Sequence, residues 1–363
     1  MVFRKVKYIA LLLLSTLISQ QVFSEYPLHS FEDTSLALLG RIHFDQGLRL
    51  DNPEDDVYEF RRLRLGTLFK HKQLKIKSEL DFANDQILPT DVYIELSDRA
   101  KDNYVHIGHQ KESLSLDYLA SSNHYSLIER PSLNFYIPGR NIGVNFFSKL
   151  SDQVLLSSGL FYDSDSEFDF DTDSWSFSNR IAMHSQQDAA LFHYGAFYSH
   201  REQDNLSIRS GPEISLSDLR TGIALDGLES LDLYGLEFAA MLGGLKLQSE
   251  LVYTNYDLTG SGNDSYGYYA ELGYITNGSY TYAKDKKVFV APKVEKHALE
   301  WVLRASTLQN RIDQIGFGHQ NNYTFGLNYY LAQNVRMMLN IHHLSNSLTG
   351  HSNFIAGRLL FYL

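Results

Sequence analysis

The chain has 363 residues, among them 24 tyrosines, 22 phenylalanines, 2 tryptophans and no cysteine, and its 32 basic and 43 acidic residues give a formal net charge of −11. The lack of cysteine excludes disulfide scaffolds, cysteine-ligated zinc, iron–sulfur clusters and cysteine nucleophiles, and the negative charge argues against a general nucleic-acid binder, which needs a basic surface. With 44% hydrophobic and 13% aromatic residues, two classes remain: a soluble β-rich protein or a transmembrane β-barrel.

The N-terminus predicts export from the cytoplasm. Arg4, Lys5 and Lys7 form a positively charged start, and residues 8–18 form a short apolar core. This order is typical of a secretory signal peptide, here residues 1–24. The apolar core is too short to cross a hydrocarbon layer of roughly 30 Å, and no later apolar run approaches the ~20 residues that a transmembrane helix needs. The exported chain is therefore either free outside the cytoplasm or lodged in an outer membrane as a barrel.

Apolar and polar residues alternate from residue 36 to the end of the chain. The pattern is sharpest where Leu74, Ile76, Leu80 and Phe82 alternate with charged residues. A period of two predicts β-strands, and we count about sixteen of them. The predicted strands start near Leu36, Tyr58, Leu74, Thr90, Tyr104, Asn141, Val154, Phe177, Ala190, Leu231, Leu245, Ser265, Ala298, Asn321, Val335 and Asn353.

The connections between these strands alternate between short and long. The short ones are 71–73, 151–153, 243–244 and 331–334, and the long ones are 111–140, 162–176 and 201–230. Short turns on the periplasmic side and long loops outside are typical of outer-membrane barrels. One connection, 276–297, breaks the rule because it is predicted to be a long loop on the short side.

The pattern therefore predicts an all-β fold, a closed antiparallel transmembrane β-barrel formed by residues 36–363. A short periplasmic segment, residues 25–35, precedes it, and the expected location is the outer membrane of a Gram-negative bacterium. The alternative is a secreted β-sandwich or β-helix protein. That alternative would need a second face to bury an apolar face that persists over the whole chain.

Several segments resemble the phosphate-selective porin O and P family, and they occur in the family's order. The similar segments are 60–66, 79–83, 121–123, 128–130, 138–143, 267–271, 328–331 and 334–340. The resemblance implies a sixteen-stranded porin, usually a homotrimer, whose third external loop folds inward and whose inner wall conducts anions with basic side chains. The chain departs from the family in ending on Leu363 rather than an aromatic residue, and in having few basic residues over 177–200.

Candidate pore residues come from two sources. The strand pattern predicts inward-pointing side chains at Arg41, Arg62, Arg64, Lys75, Lys77, Arg304 and Arg336. The resemblance adds Arg61 and Asp81 to the wall, and Arg130 and Arg140 in the third loop. We expect Lys111, Arg130 and Arg140 to form a basic constriction facing Asp117 or Glu129. Arginine suits phosphate and carboxylate because its planar fork donates two hydrogen bonds at once. The alternative is that these charges merely pair with acids across a wet lumen.

The predicted function is passive diffusion of small anions, with phosphate and polyphosphate as candidates, through a water-filled channel. The expected partners are outer-membrane lipid, lipopolysaccharide, the anionic solutes and two further copies of the chain; no nucleic acid, cofactor or metal is expected. An unselective general porin and a non-conducting structural or adhesive barrel are the alternatives.

The sequence contains candidate residues for two further chemistries. The chain is not expected to be an enzyme, because its neighbouring histidines and serines at 124–126 and 351–352 fall in predicted loops rather than in a strand-borne nucleophile motif. The acidic run 163–173 begins like a calcium loop but lacks the glycine and the final glutamate of an EF-hand. Loose binding of divalent cations by that run, bridging to lipopolysaccharide, stays open.

Overall fold

The structure is a computed structural model that describes residues 25–52, 57–83, 86–98, 102–164, 170–203, 206–215, 219–225, 227–258, 263–312 and 318–363. The predicted signal peptide, residues 1–24, lies outside the described residues. The acidic run 163–173 lies outside the residues whose side chains the structure describes.

Strands make up most of the described chain. They are β1 (Tyr26–Phe31), β2 (Thr34–Arg49), β3 (Val57–His71), β4 (Leu74–Asp81), β5 (Leu88–Asp98), β6 (Asn103–Lys111), β7 (Arg140–Lys149), β8 (Val154–Ser164), β9 (Phe170–Gln187), β10 (Ala190–Glu202), β11 (Leu206–Ser210), β12 (Thr221–Leu225), β13 (Leu228–Leu242), β14 (Leu245–Leu258), β15 (Asp264–Ala283), β16 (Val288–Arg311), β17 (His319–Ala332), β18 (Val335–Asn346) and β19 (Gly350–Tyr362). A single α-helical turn in the described chain, α1 (Leu116–Leu119), and two 3-10 turns (Ser122–His124 and Ser132–Phe135) lie between β6 and β7.

Sixteen of the strands, β2–β10 and β13–β19, form one closed antiparallel barrel. Each pairs with the next along the chain, β10 pairs with β13, and β19 pairs back with β2, where Tyr362 lies opposite Arg41. Closure leaves no free sheet edge. The prediction of a closed sixteen-stranded antiparallel barrel is confirmed, and each predicted strand start lies within an observed strand.

The barrel wall is apolar outside and polar inside. Neighbouring residues show the alternation directly: Phe146 is 61% exposed and Asn145 is 1% exposed, while Leu236 is 60% exposed and Glu237 is 4% exposed. Successive side chains of a strand point to opposite faces of the sheet, so one parity faces the surroundings and the other faces the interior. An apolar outer face and a polar interior are what a barrel in lipid requires. No helix in the described ranges combines the length and the hydropathy needed to cross a membrane.

Segment 25–35 contains a strand that pairs with β2 before the stretch of β2 that closes the barrel. β1 pairs with the first residues of β2, with Tyr26 opposite Leu38 and Phe31 opposite Thr34. β19 pairs with β2 only from Arg41 onward, so β1 covers the part of the β2 edge that β19 does not reach.

The prediction of a long loop at 276–297 is wrong. β15 and β16 are 20 and 24 residues long and remain paired through most of this region, with register shifts between Thr276 and Gly278 and between Ser279 and Thr281. The turn itself is residues 284–287. We call this extension hairpin 277–297. The predicted loop 162–176 is likewise shorter than expected, because β8 continues to Ser164 and β9 begins at Phe170.

Hairpin 277–297 lies across the end of the barrel that carries the short turns, called here the short-turn end. Tyr282 hydrogen-bonds to His193 on β10 (2.6 Å), and Lys284 Nζ donates to Gln186 Oε1 on β9 (2.7 Å). At the tip, Lys287 Nζ donates to the Asp152 carbonyl oxygen (3.0 Å) in the turn between β7 and β8. Four strands separate β8 from β15 around the wall, so the hairpin reaches well beyond the strands from which it extends.

Candidate functional site

Two connections from the opposite end of the barrel pack against the inner face of the wall. The first, residues 112–139 between β6 and β7, is called segment 112–139. The second contains the β11–β12 hairpin and contacts the first, because the backbone N–H of Ser132 donates to Glu213 Oε1 (2.7 Å). Glu213 in turn accepts a hydrogen bond from Arg304 on β16 (3.1 Å).

Segment 112–139 is held by hydrogen bonds to strands around the barrel. The backbone N–H groups of Leu116 and Asp117, at the start of α1, donate to the carboxylate of Glu250 on β14 (2.8 and 2.9 Å). The further wall contacts are Arg41 on β2 to Ser122 Oγ (3.0 Å), Asn328 on β17 to the Ser126 carbonyl (2.7 Å), Arg304 on β16 to the Glu129 carbonyl (2.8 Å) and Arg358 on β19 to the Ile128 carbonyl (2.5 Å).

Apolar packing adds to these contacts. Leu114 and Leu133 of the segment are fully buried and pack with Leu233 and Val252 of the wall. Buried leucines inside a polar barrel need such partners, since each buried apolar side chain contributes about 1.5–3 kcal/mol. The segment is therefore an ordered part of the interior.

A cavity of about 1400 Å³ lies beside segment 112–139 and extends to hairpin 277–297. Fourteen of its lining side chains are basic: Arg41, Arg61, Arg62, Arg64, Lys75, Lys77, Lys111, Arg130, Arg140, Lys149, Arg180, Lys284, Lys286 and Lys287. Seven are acidic: Asp91, Glu95, Asp98, Asp102, Glu129, Asp152 and Asp285. The cavity wall thus has an excess of basic groups although the chain as a whole is acidic.

The three predicted constriction residues all line this cavity. Lys111 Nζ donates to the carbonyl oxygens of Tyr118 (2.6 Å) and Ala120 (3.1 Å). Arg130 donates to the carbonyl oxygen of Asp117 (2.6 Å), and its guanidinium lies 4.6 Å from the centre of the Tyr118 ring. Backbone carbonyls of segment 112–139 therefore orient both cations, and Arg130 also lies 3.4 Å from the Asp117 carboxylate.

Arg140 stands on the wall beside the other two. Its Nε donates to Asp91 Oδ1 (2.6 Å), and Lys77 Nζ donates to the other oxygen of the same carboxylate (2.5 Å). One acid thus neutralises one of two cations, and this cluster keeps a positive charge.

The family model for phosphate-selective porin O and P matches residues 37–362. The chain belongs to this family. It is an outer-membrane porin of a Gram-negative bacterium, and the predictions of the family, the closed sixteen-stranded barrel and the location are confirmed.

Solved structures share the fold of the porin. OmpT of Vibrio cholerae, an outer membrane protein, matches with a TM-score of 0.62 and 11% identity over 93% of this chain and 99% of its own. Its trimer form matches with a TM-score of 0.60 and 10% identity over 92% and 100%. An anion-selective porin from Comamonas acidovorans matches with a TM-score of 0.60 and 12% identity over 91% and 100%. A search of curated proteins finds no sequence match.

Glu129, one of the two acids expected to face the constriction of the porin, is surrounded by arginines. It accepts hydrogen bonds from Arg61 Nε (2.8 Å) and Arg358 (3.1 Å), and Arg62 lies 3.8 Å away. Burial alone would raise the pKa of the Glu129 carboxyl, but the arginines outweigh burial and hold that pKa well below its ordinary value. The other acid, Asp117, lies 3.4 Å from Arg130.

Six of the nine predicted pore-lining residues line the cavity: Arg41, Arg61, Arg62, Arg64, Lys75 and Lys77. Arg61 and Arg62 are adjacent and would normally point to opposite faces. β3 has an extra residue here, because His43 pairs with Arg62 while Phe44 pairs with Phe60. Such a bulge reorients a side chain, so both arginines reach the interior.

The other three predicted pore-lining residues, Asp81, Arg304 and Arg336, do not line this cavity. Asp81 accepts hydrogen bonds from Arg64 Nε (2.7 Å) and the Leu63 backbone (3.1 Å). Arg304 and Arg336 point inward, but segment 112–139 covers them. Arg304 is paired with Glu271 (2.6 Å), and Arg336 donates to the Tyr330 hydroxyl (2.9 Å).

The sequence reasoning missed five lining cations: Lys149, Arg180, Lys284, Lys286 and Lys287. Arg180 lies on β9 and forms an ion pair with Glu237 (2.8 Å), and the last three belong to hairpin 277–297. The cluster of lysines at 284–287 was a visible signal, but its place in a predicted loop hid its contact with the interior.

The serines considered for catalysis have other partners in the described chain. Ser126 Oγ accepts a hydrogen bond from Lys246 Nζ (2.9 Å), and Ser352 Oγ donates to Asp51 (3.1 Å). Neither contact directs a serine at the neighbouring His124 or His351.

Proposed function

We propose that this porin conducts small anions by passive diffusion, and that segment 112–139 narrows the channel with Lys111, Arg130 and Arg140 at the narrowing. The excess of basic over acidic side chains around the cavity carries this proposal. A pore selects by size and by the sign of the charge at its narrowest part. The chain's net charge of −11 does not oppose it, because charges beyond about 8–10 Å are screened at physiological salt.

Phosphate and polyphosphate are candidate solutes within this class. The arginines that line the cavity include Arg61, Arg62, Arg64 and Arg140. One guanidinium group can donate two parallel hydrogen bonds to a phosphate. The fold shared with the Comamonas acidovorans protein, whose name describes an anion-selective porin, is in keeping with the proposal. We propose a channel and no enzymatic activity for this protein.

The deciding experiment is a reversal-potential measurement on purified protein in planar bilayers under a potassium chloride gradient. We expect discrete channel steps and a potential of the sign that chloride preference produces. A potential near zero would favour the unselective general porin, cation preference would overturn the proposal, and an absence of steps would favour the non-conducting barrel.

A double variant localises the selectivity. Arg130→Gln with Arg140→Gln removes two positive charges from the proposed narrowing, so the permeability ratio of anion to cation is expected to fall several-fold. Arg311→Gln is the matched control, because Arg311 is more than half exposed and pairs with Asp264 outside the cavity lining. An unchanged ratio in the double variant would remove these two residues from the selective site.

We further propose that the porin is a homotrimer embedded in outer-membrane lipid and lipopolysaccharide. The apolar outer face of the barrel and the existence of a trimer form of OmpT from Vibrio cholerae, which shares the fold, support this. Chemical cross-linking in detergent should give a ladder that ends at three copies.

A further inference from the structure

We propose that the inner wall carries a binding subsite for small aromatic carboxylates, formed by four stacked rings and the ammonium groups of Lys75 and Lys286. The rings, Tyr93, Tyr104, His106 and Phe147, are called the aromatic patch. This inference deepens the proposed function, on which it rests, because it names a class of anion that the channel would take.

The aromatic patch is a continuous surface on three neighbouring strands, β5, β6 and β7. Tyr93 stacks on His106 with ring centres 4.3 Å apart, and Tyr104 stacks on Phe147 at the same distance. His106 links the two pairs, since its ring centre lies 4.8 Å from that of Phe147. All four rings line the cavity and are only half-buried, so a further ring has room to stack or meet them edge-on.

Phe147 is an apolar residue at an inward position of the wall. The inward positions of a conducting barrel are ordinarily polar, and Asn145, two residues earlier on the same face, follows that rule. Phe147 has no lipid to meet, since the neighbouring Phe146 already supplies the outward side chain of this stretch. Tyr104 and His106 cover only part of the Phe147 ring, and covering the rest with a further ring removes apolar surface from water.

The polar groups near the rings leave the tyrosine hydroxyls available for hydrogen bonds to a ligand. In the described chain, no hydrogen bond forms at the hydroxyls of Tyr93 and Tyr104, whereas His106 bridges Gln110 (3.2 Å) and Glu95 (2.9 Å). A carboxylate is an acceptor that can use a tyrosine hydroxyl. The patch therefore offers both ring contact and hydrogen-bond donors.

The two cations of the subsite belong to different elements of the cavity lining. Lys75 lies on β4, with its Nζ 5.8 Å from the Tyr93 ring centre and 2.5 Å from Glu95. Lys286, at the tip of hairpin 277–297, lines the same cavity as Lys75, and its exposed ammonium has no partner within the described ranges. A ring on the patch would place its carboxylate toward these ammonium groups.

The acids at the subsite define the charge of the ligand. Glu95 pairs with Lys75, and Asp285, which precedes Lys286 in the chain, lines the same cavity as Tyr104. Two carboxylates beside two ammonium groups disfavour a multiply charged anion such as a polyphosphate. We therefore expect a monoanion with an aromatic ring to bind this subsite more tightly than a dianion without a ring.

The test compares two probes of equal charge and similar size, benzoate and cyclohexanecarboxylate. Each is added at pH 7 to single channels carrying chloride current in planar bilayers. We expect benzoate to reduce the current at a concentration roughly three- to ten-fold lower than cyclohexanecarboxylate, which is the preference that an aromatic pair contributes. Equal potency of the two probes would overturn the subsite.

Variants assign the preference to the aromatic patch and to Lys286. Phe147→Leu is expected to remove the benzoate preference, and Lys286→Gln to weaken block by both probes; discrete channel steps show that each variant has folded. Phe146→Leu is the matched control, since it makes the same change one residue away on the outer face, and should retain the preference. Loss of the preference in Phe146→Leu, or its survival in Phe147→Leu, would overturn the inference.

The reversal potential, measured before any probe is added, separates the two proposals. Cation selectivity would overturn the proposed function. Anion selectivity with equal potency of benzoate and cyclohexanecarboxylate would overturn only the aromatic subsite.

Discussion

Glu129 is an acid of the cavity lining that offsets the charge of neighbouring arginines. Its carboxylate accepts hydrogen bonds from Arg61 and Arg358. Glu129→Gln keeps the side-chain shape but removes the ion-pair partner of Arg61, whereas Arg358 keeps its pair with Asp45 (2.6 Å). We expect the anion-to-cation permeability ratio to rise several-fold, and the free energy of unfolding in detergent to fall by about 3–5 kcal/mol, as on breaking a buried ion pair. Reversal potentials and denaturant titration measure the two effects.

Glu25→Gln is the control for this change, because Glu25 pairs with Lys70 at an exposed site. It should alter neither the permeability ratio nor the free energy of unfolding.

The pKa of the Glu129 carboxyl is held well below the ordinary 4.5 by the arginines. Its contribution to stability is therefore complete above about pH 4.5 and is lost only as the pH falls through the lower pKa of the folded state. A fall in stability of the wild-type protein between pH 7 and pH 5 that disappears in Glu129→Gln would contradict this assignment.

Single residues also show where strand parity stops being informative. Parity predicts that Arg304 and Arg336 point inward, and they do, but segment 112–139 covers them. That cover depends on contacts between residues more than 170 positions apart, which a local pattern does not contain. Arg61 reaches the interior through a bulge in β3, and alternation alone would have turned it outward.

Hairpin 277–297 is the element that the period of two failed to predict. Its register shifts near Thr276 and Ser279 interrupt the alternation, so its strands read as a loop. Positive backbone φ angles at Asn277 (54°) and Lys287 (54°) fit a chain that turns away from the line of the wall. The other predicted strands lie in the wall, where the apolar outer face requires regular alternation of apolar and polar residues. These strands can therefore be predicted from the sequence.

Shortening this hairpin tests whether it narrows the short-turn end. Replacing residues 277–298 with Asn-Gly joins Thr276 to Leu299, which are already paired, through the turn that two-residue hairpins prefer. We expect the single-channel conductance to rise, because the tip no longer reaches toward Asp152. Lys284→Gln, which alters one contact and leaves the hairpin in place, is the control. Equal conductance of the shortened and wild-type proteins would show that the hairpin does not limit the current.

At the scale of the whole molecule, the net charge of the chain and the net charge of the side chains that line the cavity have opposite signs. The chain carries a formal charge of −11, yet the cavity is lined by fourteen basic and seven acidic side chains. Net charge sums over surfaces that a permeating ion never meets. The sign of the charge around the cavity depends first on which faces of the strands point inward, and strand parity predicts this. It depends also on where segment 112–139 and hairpin 277–297 fold, and strand parity does not predict that.

This separation of charge predicts how selectivity depends on salt. If the fixed charges around the cavity set the anion preference through their field, the preference should weaken as the Debye length falls from about 10 Å at 0.1 M to about 3 Å at 1 M. Reversal potentials at a constant tenfold gradient, with the mean potassium chloride concentration raised in steps, measure this. Lys70→Gln, which lies outside the cavity lining, should follow the wild-type curve. An anion preference that stays constant across this range would mean that direct contact with individual side chains, rather than the summed field of the wall, selects the ion.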